Sequence, residues 1–376
     1  MQHTFGIEEE FMLVSRDTLA PVHIADSAIQ ELRADGGGGT VTSEMLPSQV
    51  EHATGVCRTL TDAETEVMGF RQRLADWAER HHVIAIGSGT PFQHTPELPE
   101  LPSERYERIA KDVGMLANEH LVNGMHVHVG IDSIEESVCV LNGLRPWLPI
   151  LLAMSTNSPF WAGVDTGHHS WRAIQTRRWT TNGIPPFIHD VDEYHELHDR
   201  LIGVGATQEY SKTSWAIRLS EHFPTVEVRV CDTQLSGDST VALGLIVRAL
   251  AEACASRPDA VPHPRTHLLD SELWHAARYG MSDKLYDPVS GEHIAAQAAV
   301  SSLASVVAPH MAVEHDRDYV DRFLNGVSTG LTGAVVQRRA FSRGLPELRA
   351  LYRESLAATR GWSSAGRSTA QALASS

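Results

Sequence analysis

Three stretches of this chain set acids, imidazoles and guanidiniums at alternate positions. The first is Phe5-Gly6-Ile7-Glu8-Glu9-Glu10-Phe11-Met12-Leu13-Val14. It reads as a strand, so Glu8 and Glu10 share one face, roughly 7 Å apart, and Glu9 takes the other. Two like charges so close are costly to bury. They therefore form either a solvated acidic edge or part of a divalent-cation site. The second stretch, Gly124 to Ile131, turns His126 and His128 one way and Val127 and Val129 the other. The third, Thr225 to Asp232, pairs Glu227 with Arg229 on one face and leaves Val226, Val228 and Val230 on the opposite one. Arg218 shares a face with Ala216 and Ser220 in a further alternating segment, and Glu44 and Glu51 lie in an extended segment. Many carboxylates with one or two imidazoles suit Mg²⁺ or Mn²⁺ better than zinc. The arginines add an anionic substrate, as in phosphoryl transfer. The plainer reading of Arg218, Glu227 and Arg229 is a cross-strand salt bridge on a solvated face.

These residues need a sheet with one polar and one apolar side. The alternation predicts strands at Phe5–Val14, within Val41–His52, at Val83–Ser88, Gly124–Ile131, Ser214–Ser220 and Thr225–Asp232. Helices are predicted at Pro21–Leu32, Thr61–His82, Ser103–Val122, Ser133–Asn157 (interrupted near Pro146 and Pro149), Val191–Val204 and Asp238–Ser256. Four more follow, roughly Thr266–Tyr279, His293–Ala308, Asp316–Asn325 and Pro346–Thr359. The four glycines Gly36–Gly39 lack the Lys-Ser/Thr of a phosphate loop and read as a turn between strands. The segment Pro159–Pro186 is irregular. Its Arg172, Arg177 and Arg178, beside Trp171 and Trp179, read equally as an anion-binding lid or as surface arginines packed on tryptophan. His195 and His198 are expected on a solvated helix face. With no repeat and no clean linker, residues 1–360 form one expected α+β domain: about six mostly antiparallel strands with helices on the back. The Ser/Ala-rich tail 361–376 is expected to fray.

Composition bounds the function. A hydrophobic content of 42% with 21% charged residues is globular. A net charge of −16 argues against general nucleic-acid binding and against an anionic membrane surface. The apolar runs look too short or too interrupted for a membrane span. The start of the chain does not read as a signal peptide. The four cysteines, Cys57, Cys139, Cys231 and Cys254, form no C-x-x-C pair and are expected as free thiols in a cytoplasmic setting.

Taken together and in order, Gly6-Ile7-Glu8-Glu9-Glu10-Phe11, Gly124-Met125-His126-Val127-His128-Val129-Gly130 and Thr225-Val226-Glu227-Val228-Arg229-Val230-Cys231-Asp232 resemble the type 2 glutamate–cysteine ligase family, the YbdK-type carboxylate–amine ligases. The resemblance runs to about Arg339. It implies a glutamine synthetase-like fold with a concave active-site sheet. It implies one cation held by Glu10, Glu44 and Glu51 and another by Glu8, His126 and Glu227. Arg229 would contact the transferring phosphoryl group, aided by Arg218, while Arg172 and Arg178 would hold a substrate carboxylate and His128 would line the substrate site.

The chemistry implied is ATP- and Mg²⁺-dependent (Mn²⁺ as an alternative) ligation of L-glutamate to L-cysteine, by a homodimer. The chain departs from the family pattern at Thr90, Asn123 and Ala216, where His, Cys and Asp are expected. None is an implied metal ligand, so the nucleotide chemistry is a firmer expectation than the amine. The alternatives are the same ligation with another amine, a metal-dependent hydrolase using His126 and His128, and a non-catalytic binding protein on the same fold.

Overall fold

The computed structural model describes residues 2–94, 99–208, 213–257 and 263–357. The expected fraying tail, the predicted helix end at Thr359 and part of the Pro91–Pro102 loop lie outside them.

Strand β1 (Phe5–Ser15) is the longest and carries the sheet. After helix α1 (Ala25–Ala34) come the hairpin strands β2 (Thr40–Ser43) and β3 (Gln49–Ala53), then helix α2 (Leu60–Arg80) and β4 (Val83–Ile86). Helix α3 (Glu104–Val113) precedes β5 (Gly124–Gly130), and α4 (Ile134–Leu144) and α5 (Leu148–Ser155) follow it. A two-residue hairpin, β6 (Phe160–Trp161) and β7 (Val164–Asp165), leads to α6 (Trp171–Thr176) and α7 (Val191–Gly203). Strands β8 (Ile217–Leu219) and β9 (Thr225–Asp232) complete the main sheet, and α8 (Gly237–Ser256) returns beneath it. The remainder is α9 (Thr266–Tyr279), hairpin β10 (Lys284–Asp287) and β11 (Glu292–Ala295), α10 (Ala296–Val307), α11 (Glu314–Ser328), α12 (Gly333–Phe341) and α13 (Leu345–Ser355).

The main sheet has seven strands in the order β2-β3-β1-β5-β9-β8, with β4 also paired to β1, and every pairing is antiparallel. Its back is the core. Phe5, Ile7, Met125, Val127, Val129, Val226 and Val228 pack with α4, α5 and the buried length of α8. Leu13 and Phe11 meet α1 and α2. Glu9 also faces the back, paired with the fully buried Arg71 of α2 at 2.5 and 3.0 Å. Thr240 donates to the same carboxylate at 2.6 Å. A buried ion pair needs such added hydrogen bonds to offset desolvation. On the front, Met12 and Val14 are covered by Leu46, Phe92, Phe160 and the α12–α13 pair. The front of β1 is therefore covered beyond Glu10.

Several local expectations need correction. The sheet gains one strand because the segment 41–52 folds as a hairpin, and the chain adds two small hairpins. The Gly36–Gly39 turn joins α1 to β2 and is not between strands. The Ser103–Val122 helix stops at Gly114, whose φ of +59° ends regular helix, and a 3₁₀ turn continues to Glu119. Tyr286 and His293 fall in a hairpin, so the predicted helix from His293 begins at Ala296. His198 is buried, with its Nδ1 2.9 Å from the Tyr194 carbonyl oxygen. Helical stretches Ile134–Ser155 and Gly237–Ser256 are long and apolar enough to cross a membrane, contrary to the sequence reading, and both lie largely inside the protein. Cys57, Cys231 and Cys254 are buried free thiols.

Candidate active site

Strand pairing converts separate motifs into rows of neighbours. Glu10 lies opposite Glu51, and Thr42 opposite Glu51 on the next strand. Glu8 lies opposite His126. His128 is opposite Glu227, which is in turn opposite Arg218. Directly opposed side chains on one sheet face sit about 5 Å apart, so these rows gather eight polar side chains, of which Glu8, Glu10, Thr42, Glu51, His126 and Arg218 line a cleft of about 720 Å³.

Glu10, Glu44 and Glu51 bring one oxygen each within 4.8 Å of the others. Burial and then the Glu44 charge push the Glu10 carboxyl up to about 8. Burial, followed by the charges of Glu44, Glu8 and Glu10, also raises Glu51. Three carboxylates so placed are costly without a cation, and a hard divalent ion is what such oxygens fit. The Gly124 amide donates to Glu10 Oε2 at 2.6 Å, and the Thr42 hydroxyl donates to Glu51 Oε1 at 2.8 Å.

Glu8, His128 and Glu227 make the second converging set, again within 4.8 Å. Burial works to raise Glu8 and Glu227, but it is outweighed at both. The hydrogen bonds and charges of His126 and His128 hold Glu8 well below the usual carboxylate range, and the Arg229 and Arg218 guanidiniums do the same for Glu227. Both are therefore ionised and competent as ligands. His128 Nδ1 is 2.9 Å from Thr225 Oγ1. Its buried Nε2 faces Glu8 Oε1 at 3.1 Å and Glu227 Oε1 at 3.9 Å. An imidazole anchored at one nitrogen, with the other aimed between two carboxylates, suits a metal-ligating histidine. His126 sits between the two sets, 3.1 Å from Glu8, 3.8 Å from Glu227 and 3.8 Å from Glu10. Burial and then Arg229 push it down to about 4. The resemblance implied His126 with Glu8 and Glu227; His128 approaches the same two carboxylates at matching distances, and His126 also reaches toward Glu10.

Five arginines line the same cleft: Arg105, Arg172, Arg178, Arg218 and Arg229. Arg229 pairs with Glu227 and comes within 3.4 Å of His126 Nδ1. Arg218 grips Glu227 at 2.6 and 3.3 Å and donates to the Thr213 carbonyl. The strict alternation expected for β9 breaks here. Met125 pairs with Cys231 but Val127 with Val228, so Arg229 and Val230 together oppose His126. Val230 consequently lines the cleft. Arg172, at the start of α6, donates to the carbonyls of Val230 and Arg229. Gly124 must be glycine for this guanidinium to fit, because a Cβ there would lie 2.5 Å from Arg172 Nη2. Arg178 pairs with Glu119.

Sequence reading missed several groups. Asp232, fully buried, accepts from Ser158 Oγ at 2.7 Å and Ser170 Oγ at 2.9 Å, and Ser170 caps α6. It thereby anchors the helix that presents Arg172. Trp179 Nε1 donates to His120 Nδ1 at 3.0 Å. Burial pushes His120 down to about 3, so this cleft imidazole is neutral with its proton on Nε2. Thr225 stands two residues before Glu227, so its face was readable. The partners of Asp232 and His120 are distant in sequence and gave no signal.

The glutamate–cysteine ligase family 2 model matches residues 4–354. A Frankia alni protein bearing a glutamate–cysteine ligase 2-2 name is 35% identical over 357 residues, covering 90% of this chain and 93% of its own. Among solved structures, glutamate–cysteine ligase from Francisella tularensis in complex with AMP aligns with a TM-score of 0.66 at 13% identity, over 100% of this chain and 94% of that one. A bifunctional glutathione synthetase from Pasteurella multocida gives the same TM-score at 13% identity, over 95% of this chain and 53% of the other. The fold is that of the glutamine synthetase-like ligases, and the chain belongs to glutamate–cysteine ligase family 2.

Proposed function

We propose that this cleft is the active site of an ATP-dependent carboxylate–amine ligase that joins the γ-carboxyl of L-glutamate to an amine, with L-cysteine as the reference acceptor. The observation that carries the reading is the pair of carboxylate-rich clusters side by side on one sheet face, flanked by Arg229 and Arg218. Glu10, Glu44 and Glu51 would hold one divalent cation and Glu8, His128 and Glu227 another, with His126 between them. Mg²⁺, or Mn²⁺ in its place, would offset the charge that otherwise keeps a carboxylate and a polyphosphate apart.

A carboxylate does not react with an amine near neutrality, because oxide is a poor leaving group. In the first step a γ-carboxylate oxygen attacks the terminal phosphorus of ATP, the bond to the bridging oxygen breaks, and ADP leaves. In the second the amine lone pair attacks the acyl carbon, the C–O bond breaks, phosphate departs with that oxygen, and the amine proton passes to solvent. Arg229 stabilises the phosphoryl group between donor and acceptor oxygens. Arg218 holds Glu227 in place. Arg172 and Arg178, with the Nε2–H of neutral His120, form a donor set for the α-carboxylate of the acid substrate.

ADP release, measured with glutamate and Mg²⁺ against a panel of amines and amino acids, tests the reading. ADP formed only when acid and amine are both present is expected. No ADP with any amine, or hydrolysis of an amide without nucleotide, would overturn it.

A further inference from the structure

Helix α3 takes no part in the chemistry above. It has an apolar side, yet none of its residues is buried. Tyr106, Ile109 and Val113 on that side line the cleft near the first carboxylate cluster. Ser103 caps the helix through the Tyr106 amide, which fixes Tyr106 in the first turn. From there its hydroxyl donates to Glu44 Oε2 at 2.8 Å and comes within 3.5 Å of the Ser43 carbonyl.

The three carboxylates are not equally constrained. Glu10 and Glu51 sit on paired strands, directly opposite each other, and each accepts a further hydrogen bond. Glu44 lies beyond the end of β2, in the connection to β3, where no strand register aims its side chain. Among the described residues, Tyr106 supplies the hydrogen bond recorded to the Glu44 carboxylate.

We propose that Tyr106 is a positioning residue for the Glu10/Glu44/Glu51 cluster: its hydroxyl holds the loop carboxylate of Glu44 where one divalent cation meets all three acids, and ties α3 to the cleft in that state. The proposal rests on reading that cluster as a cation site. Partners that orient a ligand typically change metal affinity tenfold or more when removed. The effect is confined to the cluster that contains Glu44, because Glu8, His128 and Glu227 take their orientation from β1, β5 and β9.

The test is Mn²⁺ binding to the full-length protein without nucleotide, with free Mn²⁺ read by electron paramagnetic resonance. Glu44→Gln is expected to lose one class of site. Tyr106→Phe removes a single oxygen from an unburied helix, and is expected to weaken that same class roughly tenfold while the second class is unchanged. Ile109→Ala, on the same helix face with the hydroxyl intact, is expected to bind as wild type. Normal Mn²⁺ binding by Tyr106→Phe alongside a loss in Glu44→Gln overturns the assignment of Tyr106 alone. Equal weakening of both classes, or Ile109→Ala matching Tyr106→Phe, overturns it as well, by making the effect one of helix packing. Unchanged binding by Glu44→Gln overturns the cation reading and this inference with it.

Discussion

Replacing Glu10 by Gln isolates the cost of assembling three carboxylates without a cation. The Glu10 carboxyl is raised from 4.5 to about 8, by burial first and the Glu44 charge second. A carboxyl raised in the folded state binds its proton more tightly there than in the unfolded chain. Its contribution to stability is therefore intact below 4.5 and is lost progressively as pH climbs toward 8. Near pH 7.5 the interval is about three units, or about 4 kcal/mol at roughly 1.4 kcal/mol per unit. Gln retains an acceptor for the Gly124 amide and carries no charge. Glu10→Gln is therefore expected to be more stable than wild type in EDTA near pH 7.5, with a melting temperature higher by something on the order of 5 °C. The difference should vanish near pH 4.5. Added Mn²⁺ should reverse the order, stabilising wild type through binding and leaving the variant nearly unmoved. Thermal melts followed by circular dichroism, with EDTA or Mn²⁺ across that pH range, give all four comparisons. A variant that melts below wild type in EDTA near pH 7.5, or that gains as much from Mn²⁺, refutes the reasoning.

Two other substitutions probe what surrounds the clusters. Gly124→Ala places a methyl group within 3 Å of both Arg172 Nη2, whose guanidinium is fixed by two carbonyls, and His126 Nε2; the KM for the acid substrate should rise about tenfold (about 1.4 kcal/mol), and an unchanged KM would remove Arg172 from substrate binding. Arg71→Met strands the buried Glu9 carboxylate and should cost about 3–5 kcal/mol in denaturant unfolding. The double variant with Glu9→Gln should recover most of that loss, and a single-variant cost under about 1 kcal/mol would contradict the ion-pair account.

Alternation made the site legible. Glu8, Glu10, His126, His128 and Glu227 each stand two residues from another polar group on a strand, and an apolar back face confirms the period. Glu9 was separable from its neighbours for the same reason. What alternation could not supply was register. That both histidines meet Glu8 and Glu227 depends on strand register and on the bulge at Arg229 and Val230, and a bulge leaves no mark in residue types. Arg71 did carry a signal, because it falls on the same stripe of α2 as Val67, Phe70 and Leu74. The partner it needed, Glu9, lies 62 positions away. Tyr106 and Asp232 act through contacts of that same long-range kind. The hairpin β10–β11 was missed because its strands are short and β11 is largely exposed, so no apolar period distinguishes β11 from the helix that follows.

The most direct measurement follows an oxygen atom. Glutamate labelled with ¹⁸O in its γ-carboxyl would be incubated with the enzyme, ATP and Mg²⁺, using hydroxylamine as an acceptor small enough to enter whatever amine pocket exists. An acyl-phosphate route transfers one labelled oxygen to each phosphate released, alongside γ-glutamyl hydroxamate and ADP in equal amounts. Phosphate free of label, or hydroxamate formed without ADP, would contradict the assignment of this cleft to ATP-driven carboxylate activation.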